Sequence, residues 1–318
     1  MIDQVLPPAQ APVVSAAIFK AYDIRGIVET ALTEEAVSAI GLALGAKARA
    51  RGIGQVVVGR DGRLSGPALA RALSAGLCAA GVDVIDIGMV PTPLVYFATV
   101  LTGCGTGVAV TGSHNPPEYN GLKMMLGGAT LHGEDIRDIA ATLADPARYA
   151  ALFAATPGTV RTLDVVPDYI ARIAGEVKLA RPLKVVVDAG NGVAGAVAPA
   201  LLRALGITDL TELYCEVDGH FPNHHPDPAH PENLRDLIRE VQARDADIGL
   251  AFDGDGDRLG VVTRSGQMIF PDRQLMLYAA DVLEKNPGAT IIYDVKCTRN
   301  LAPWIRERGG EPLMWCTG

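Results

Sequence analysis

Apolar and polar positions along the chain repeat one arrangement three times. A short apolar run is followed by a polar or glycine-containing turn, an amphipathic stretch of helical period, a glycine stop and a second apolar run. Continuous apolar runs read as strands buried on both faces, and strand alternating with helix is the pattern of a βαβ unit. The first copy predicts a strand over 56–58, the turn GRDGRLSG, a helix over 67–80 and a strand over 82–87. Pro67 suits the first turn of that helix, where its missing N–H leaves no bond unmade. The second copy predicts a strand over 184–187, the turn DAGNGVAG, a helix ending at 205 and a strand over 210–217. The third predicts a strand over 290–293, a helix ending near 308 and a strand over 312–316.

Between the first two copies the pattern adds a helix over 92–101, a strand over 107–110 and a helix over 133–144. Thr33 with Glu34 and Glu35 at one end, and Lys47, Arg49 and Arg51 at the other, describe a further scaffold helix with favourable terminal charges. The expected fold class is α/β, built of repeated βαβ domains with mixed sheets between helices. Residues 1–17 are expected to be a flexible arm, 18–157 a first domain, 158–266 a second and 267–318 the start of an incomplete third. The third copy breaks off at Thr317-Gly318, which reads as the front portion of a longer protein.

Length and composition narrow the class. At 318 residues, 49% hydrophobic and 20% charged, the chain can bury a large core, which excludes collagen, coiled coil and wholesale disorder. A net charge of −8 argues against broad nucleic-acid binding, because neutralising a phosphate backbone needs a basic surface. The five cysteines form no CxxC pair and read as free thiols, mostly in the core, in a reducing compartment. Neither a spanning apolar run nor a secretory signal is recognised, so the expected location is the cytoplasm, without a membrane partner.

Two loops carry the candidate chemistry. Thr111-Gly112-Ser113-His114-Asn115-Pro116-Pro117 follows the apolar run 107–110, at the carboxyl end of a strand, where open α/β sheets place ligands. The prolines restrict the loop, so the Ser113 hydroxyl is held rigidly, and Lys123 can return to it as an ammonium beside an anionic group. Ser-His adjacency alone makes no catalytic triad. In the second loop, Asp253, Asp255 and Asp257 alternate with Gly254 and Gly256 after the run 248–250. Three carboxylates in a tight loop can aim oxygens at one hard divalent cation, Mg²⁺ first. A calcium EF-hand fails here, because its sixth position is Arg258 and its twelfth Arg264. A phosphorylated Ser113 would add acceptor oxygens to that aspartate shell, which is the positioning and charge pattern of phosphoryl transfer.

TGSHNPPEYNGLK and DGDGDR, with the early Phe19-Lys20-Ala21-Tyr22-Asp23-Ile24-Arg25-Gly26, closely resemble the α-D-phosphohexomutases, most nearly the bacterial phosphomannomutase/phosphoglucomutase group. The resemblance covers nearly all of 18–318, with three motifs in the family's order. It implies a four-domain enzyme whose phosphoserine donates its phosphoryl group to a hexose phosphate. The resulting hexose 1,6-bisphosphate turns over before returning the other phosphoryl group. On that pattern Ser113 is the phosphoserine and, with Asp253, Asp255 and Asp257, binds Mg²⁺. Arg25, His114 and Lys123 stand at the reacting group, and Tyr22, Arg258 and Lys296 bind the phosphohexose. The family's later sugar-recognition loop and fourth domain have no counterpart in this sequence, which implies poor turnover by this polypeptide alone.

Two other functions compete: a haloacid-dehalogenase-type phosphatase, whose DxDG nucleophile Asp253–Gly256 imitates, and a non-catalytic phosphosugar-binding protein. Elsewhere, His220, His224, His225 and His230 crowd together, but the prolines among them favour a stiff turn over a zinc site. Arg60-Asp61-Gly62-Arg63 reads equally as a contact to the active cleft and as a structural turn. Asp188–Gly192 lacks the spacing of a dinucleotide-binding loop.

Overall fold

The structure, a computed structural model, describes residues 12–316. Its first unit is a seven-stranded mixed sheet of β1 (Ile24–Ile27), β2 (Gln55–Arg60), β3 (Asp83–Met89), β4 (Gly107–Val110), β5 (Tyr119–Leu126), β6 (Ala129–Thr130) and β7 (Val160–Thr162). The order is β1-β5-β4-β2-β3-β7, with β6 paired to β5. Strands β4, β2, β3 and β7 run parallel, while β5 returns antiparallel to β4 and carries β1 on its other side. Helices α1 (Glu34–Ala50), α2 (Gly66–Ala79) and α4 (Glu134–Ala144) cover one face, and α5 (Pro146–Ala150) adds Tyr149 to that core. α3 (Thr92–Leu101) and the start of α6 (Val166–Glu176) cover the other. Val56, Val57 and Val58 are fully buried, as a strand flanked by helices requires, each contributing about 1.5–3 kcal/mol. The Thr33 hydroxyl accepts from the Ala36 amide at 3.1 Å, so the scaffold helix starts where its cap predicts.

A second sheet has five strands: β8 (Lys184–Asp188), β9 (Asp209–Leu213), β10 (Ile248–Phe252), β11 (Leu259–Thr263) and β12 (Met268–Ile269), in the order β12-β11-β10-β8-β9. α7 (Ala198–Ala204) packs on one face and α8 (Arg235–Arg244) on the other. The last segment is α9 (Pro271–Lys285), β13 (Thr290–Tyr293), α10 (Leu301–Glu307) and β14 (Glu311–Met314), with β13 and β14 parallel around a small core.

Several expectations shift. The first sheet continues past Pro157-Gly158, because β7 pairs with β3 and the buried Val165 seals the face below it. The second sheet likewise continues past Gly266 into β12. The helix expected to end at 205 is α7, and the turn before it closes in a 3₁₀ turn over Val193–Ala196. Cysteines are not mostly in the core: Cys78 alone is buried, Cys316 is exposed, and all five are free. Residues 1–11 of the expected arm lie outside the described residues. Its end is ordered, with a 3₁₀ turn over Ala16–Ile18 that buries Ile18. Among the described residues no helix is long and apolar enough to cross a membrane.

Candidate active site

The serine loop leaves the carboxyl end of β4, the aspartate loop leaves the carboxyl end of β10, and the two meet. Ser113 Oγ donates to Asp253 Oδ2 at 3.0 Å, and His114 Nδ1 lies 3.2 Å from the same hydroxyl. Ser113 is buried and adopts φ 50°, a left-handed conformation that a serine holds only when its surroundings fix it.

The fixing groups come from the turn after β2. Arg63 is 1% exposed and donates to four main-chain carbonyls of the serine segment: Ser113 at 2.9 Å, Asn115 at 2.6 Å, Pro116 at 2.6 Å and Tyr119 at 2.8 Å. Asp61, equally buried, accepts from Thr111 Oγ1 at 2.8 Å and from the Gly112 amide at 3.1 Å, and Thr111 Oγ1 in turn accepts from the Ser113 amide. Burial raises the Asp61 carboxyl and lowers the Arg63 guanidinium, while their mutual attraction, at 3.3 Å, opposes both shifts. The Arg60–Arg63 turn, ambiguous in the sequence, is therefore the clamp of the serine loop.

Asp253, Asp255 and Asp257 each offer an oxygen within 4.8 Å of the others, and no other group of three or more His, Cys, Asp or Glu among the described residues converges in this way. Asp253 and Asp255 are fully buried, and Asp257 is partly exposed. Asp253 Oδ1 accepts from the amides of Asp257 and Arg258 at 3.1 and 3.0 Å. Lys123, on β5, donates to Asp255 at 2.7 Å and to Asp257 at 2.5 Å. Burial, with the charges of Asp255 and Asp257, pushes the Asp253 carboxyl upward. Burial also opposes ionisation of Asp255, but the Lys123 ammonium outweighs it and holds that carboxyl low. Lys123 itself is held charged by the two carboxylates against its own desolvation. Lys123 is the one side-chain ammonium bonded to the trio, and Asp255 Oδ1 is buried without a partner. An all-oxygen set with an orphaned buried oxygen fits a small divalent cation.

Other expected residues fall as follows. Arg258 and Lys296 line, with Asp257, Pro228, Leu275 and Tyr278, a cleft of about 630 Å³. Lys296 is exposed and 3.3 Å from Asp294. Arg25 pairs with Asp23 at 2.5 Å, and its charge joins burial and Arg258 in lowering the His114 imidazole. Tyr22, just before β1, is 47% exposed. The four histidines form no metal cluster: His224 Nε2 lies 3.0 Å from both oxygens of the buried Asp188, and Pro226 beyond it accepts the Gly254 amide. Asp253 is a poor phosphatase nucleophile, since both its oxygens are already engaged. Sequence reasoning left the role of Asp61 and Arg63 open and missed that of Thr92, which meets Asp255 from the start of α3.

This arrangement, two α/β/α units each contributing one loop, matches the models of α/β/α domains I and II of phosphoglucomutase/phosphomannomutase over residues 16–149 and 167–266. The chain belongs to that family, the α-D-phosphohexomutases. It is 56% identical over 95% of its length to a phosphoglucomutase of Neisseria gonorrhoeae, and 53% identical over 98% to a phosphomannomutase/phosphoglucomutase of Pseudomonas aeruginosa. It spans 65% and 66% of the lengths of those two relatives. A crystal structure of a phosphoglucomutase/phosphomannomutase family protein from Burkholderia thailandensis superimposes with a TM-score of 0.91 at 57% identity, over 96% of this chain and 67% of that one. One of a putative phosphomannomutase from Thermus thermophilus gives 0.83 at 27% identity, over 94% and 69%.

Proposed function

We propose that the protein moves a phosphoryl group reversibly between C1 and C6 of hexose phosphates, mannose or glucose, with Ser113 as the covalent carrier and a hexose 1,6-bisphosphate as the bound intermediate. The observation that carries this reading is the 3.0 Å bond between Ser113 Oγ and Asp253 Oδ2, which sets the hydroxyl against the acidic trio. A lone binding function has no need of a buried, strained serine at that point.

Asp253, Asp255 and Asp257, with an oxygen at Ser113, would hold Mg²⁺. That ion would supply charge withdrawal from the phosphoryl oxygens. In the forward half-reaction the phosphoserine P–O bond breaks as a sugar hydroxyl forms a new P–O bond, and the proton released by the sugar ends on Ser113 Oγ. His114, 3.2 Å away and kept neutral by burial and by Arg258, can carry that proton, whereas Lys123, held as an ammonium by Asp255 and Asp257, cannot accept it. Arg25 and Lys123 balance the charge of the transferring group, Arg258 and Lys296 orient the sugar phosphate in the adjoining cleft, and Tyr22, exposed and outside that cleft's lining, meets the substrate from the segment before β1. Free thiols and an acidic surface fit a cytoplasmic enzyme of small phosphosugars rather than a nucleic-acid or membrane partner.

Incubation of the protein with glucose 1,6-bisphosphate labelled with ³²P should leave acid-stable label on Ser113, and a coupled assay of the full-length gene product should interconvert mannose and glucose 1- and 6-phosphates. Acid-labile label on Asp253, or label that survives Ser113→Ala, would sink the reading.

A further inference from the structure

Asp255 has two buried oxygens with opposite fates. Oδ2 accepts from Lys123 at 2.7 Å and from the Thr92 hydroxyl at 2.5 Å, whereas Oδ1 has no partner. Thr92 is itself 1% exposed and opens α3, in the first unit, while Asp255 belongs to a loop of the second. The same residue binds the loop a second time, since the Thr92 amide donates to the Asp255 main-chain carbonyl at 2.9 Å. The amide bond fixes the Asp255 main chain, and the two donors on Oδ2 leave the carboxylate little freedom to turn about its terminal torsion. Without the hydroxyl, Lys123 alone would hold Oδ2, and its ammonium is shared with Asp257.

Resting on the metal-dependent reading above, we infer that Thr92 is a positioning residue of the cation centre: its hydroxyl occupies Asp255 Oδ2 and so reserves Oδ1 as the oxygen that faces the ion. Outer partners that orient a ligating carboxylate typically change metal affinity 10–100-fold when removed. The inference adds a residue from outside both loop motifs, and gives the first unit, beyond Ser113 and Lys123, a further hold on the second unit's ion site.

The test is divalent-cation binding, read with Mn²⁺ by electron paramagnetic resonance and with Mg²⁺ by calorimetry, on protein with Ser113 unphosphorylated. Thr92→Val and Thr92→Ala should each weaken binding about 10–100-fold, Thr92→Ser should restore it to within about threefold, and metal-free melting temperatures should confirm folding. Either hydroxyl-less variant suffices if the other does not fold. Parental affinity in a folded hydroxyl-less variant, or weakening in Thr92→Ser as large as in the others, overturns the inference. Asp255→Asn separates the two levels: if it too binds the ion with parental affinity, the metal reading fails, and if it alone loses binding, only the role of Thr92 fails.

Discussion

Gly254 faces the carbonyl oxygen of Ser113 so closely that a β-carbon at 254 would overlap it. The serine and aspartate loops therefore touch main chain to main chain, and a glycine is required there for space. Gly254→Ala should push the loops apart, lowering kcat about 100-fold and destabilising the protein by about 1–3 kcal/mol. Steady-state kinetics and urea unfolding check this, and a parental kcat would contradict it.

Removing Arg63 should cost more. Arg63→Met deletes four donors and leaves Asp61 buried beside no cation, for a loss of about 3–5 kcal/mol. Arg63→Lys keeps the charge but not the fork, so it should recover part of the stability and little of the Ser113 labelling. Equal labelling in the lysine variant and the parent would show that the loop does not depend on the guanidinium geometry.

Chelation should abolish turnover, and Mg²⁺ should restore it. Because the trio repels itself, added Mg²⁺ should also raise the melting temperature, by the equivalent of about 2.7 kcal/mol at a hundredfold excess over Kd. Asp257→Asn should reduce that thermal gain; an unchanged gain would place the ion elsewhere.

The His224–Asp188 pair gives a pH dependence of stability. Burial opposes the His224 charge, but the hydrogen bond and attraction of Asp188 outweigh it and raise the imidazole above its ordinary 6.5. The folded state thus binds a proton that the unfolded chain has begun to release. Its stabilisation is fully present below about pH 6.5 and is lost as the pH rises through the raised value. His224→Gln should flatten that part of the melting-temperature profile, and an unchanged slope would assign it to another group.

Arg258 and Lys296 share a cleft with Asp257. Alanine at either position should raise KM for the sugar phosphate about tenfold with a smaller effect on kcat. A fall in kcat at constant KM would move the residue to the reacting group.

Much of this site was legible from sequence, for a physical reason. Hydroxyl, carboxylates and glycines at fixed spacing in one short loop declare their chemistry locally, so Ser113 and Asp253, Asp255 and Asp257 could be named before their meeting was seen. The strands under them were equally plain, since β4 and the first three residues of β10 are unbroken by charge. What the pattern hid was contact across distance. Thr92 carries no signal of its own, because its partner lies 163 residues away. The turn holding Arg63 reads equally as a cleft contact and as structure until four carbonyls are seen around the guanidinium. β5 mixes polar Tyr119, Asn120 and Lys123 with apolar neighbours, and β7 is three exposed residues recognisable only by pairing with β3.

Arg63 reads no side chain of the segment it grips, only oxygens common to every amino acid. Drift at 115 and 116 thus leaves the anchorage intact, whereas position 112 is barred to anything larger than glycine, because a β-carbon there would run into the guanidinium. Divergent homologues should accordingly retain the arginine and that one glycine after the letters around Ser113 have changed, which makes the pair a better tracer of descent than the loop itself.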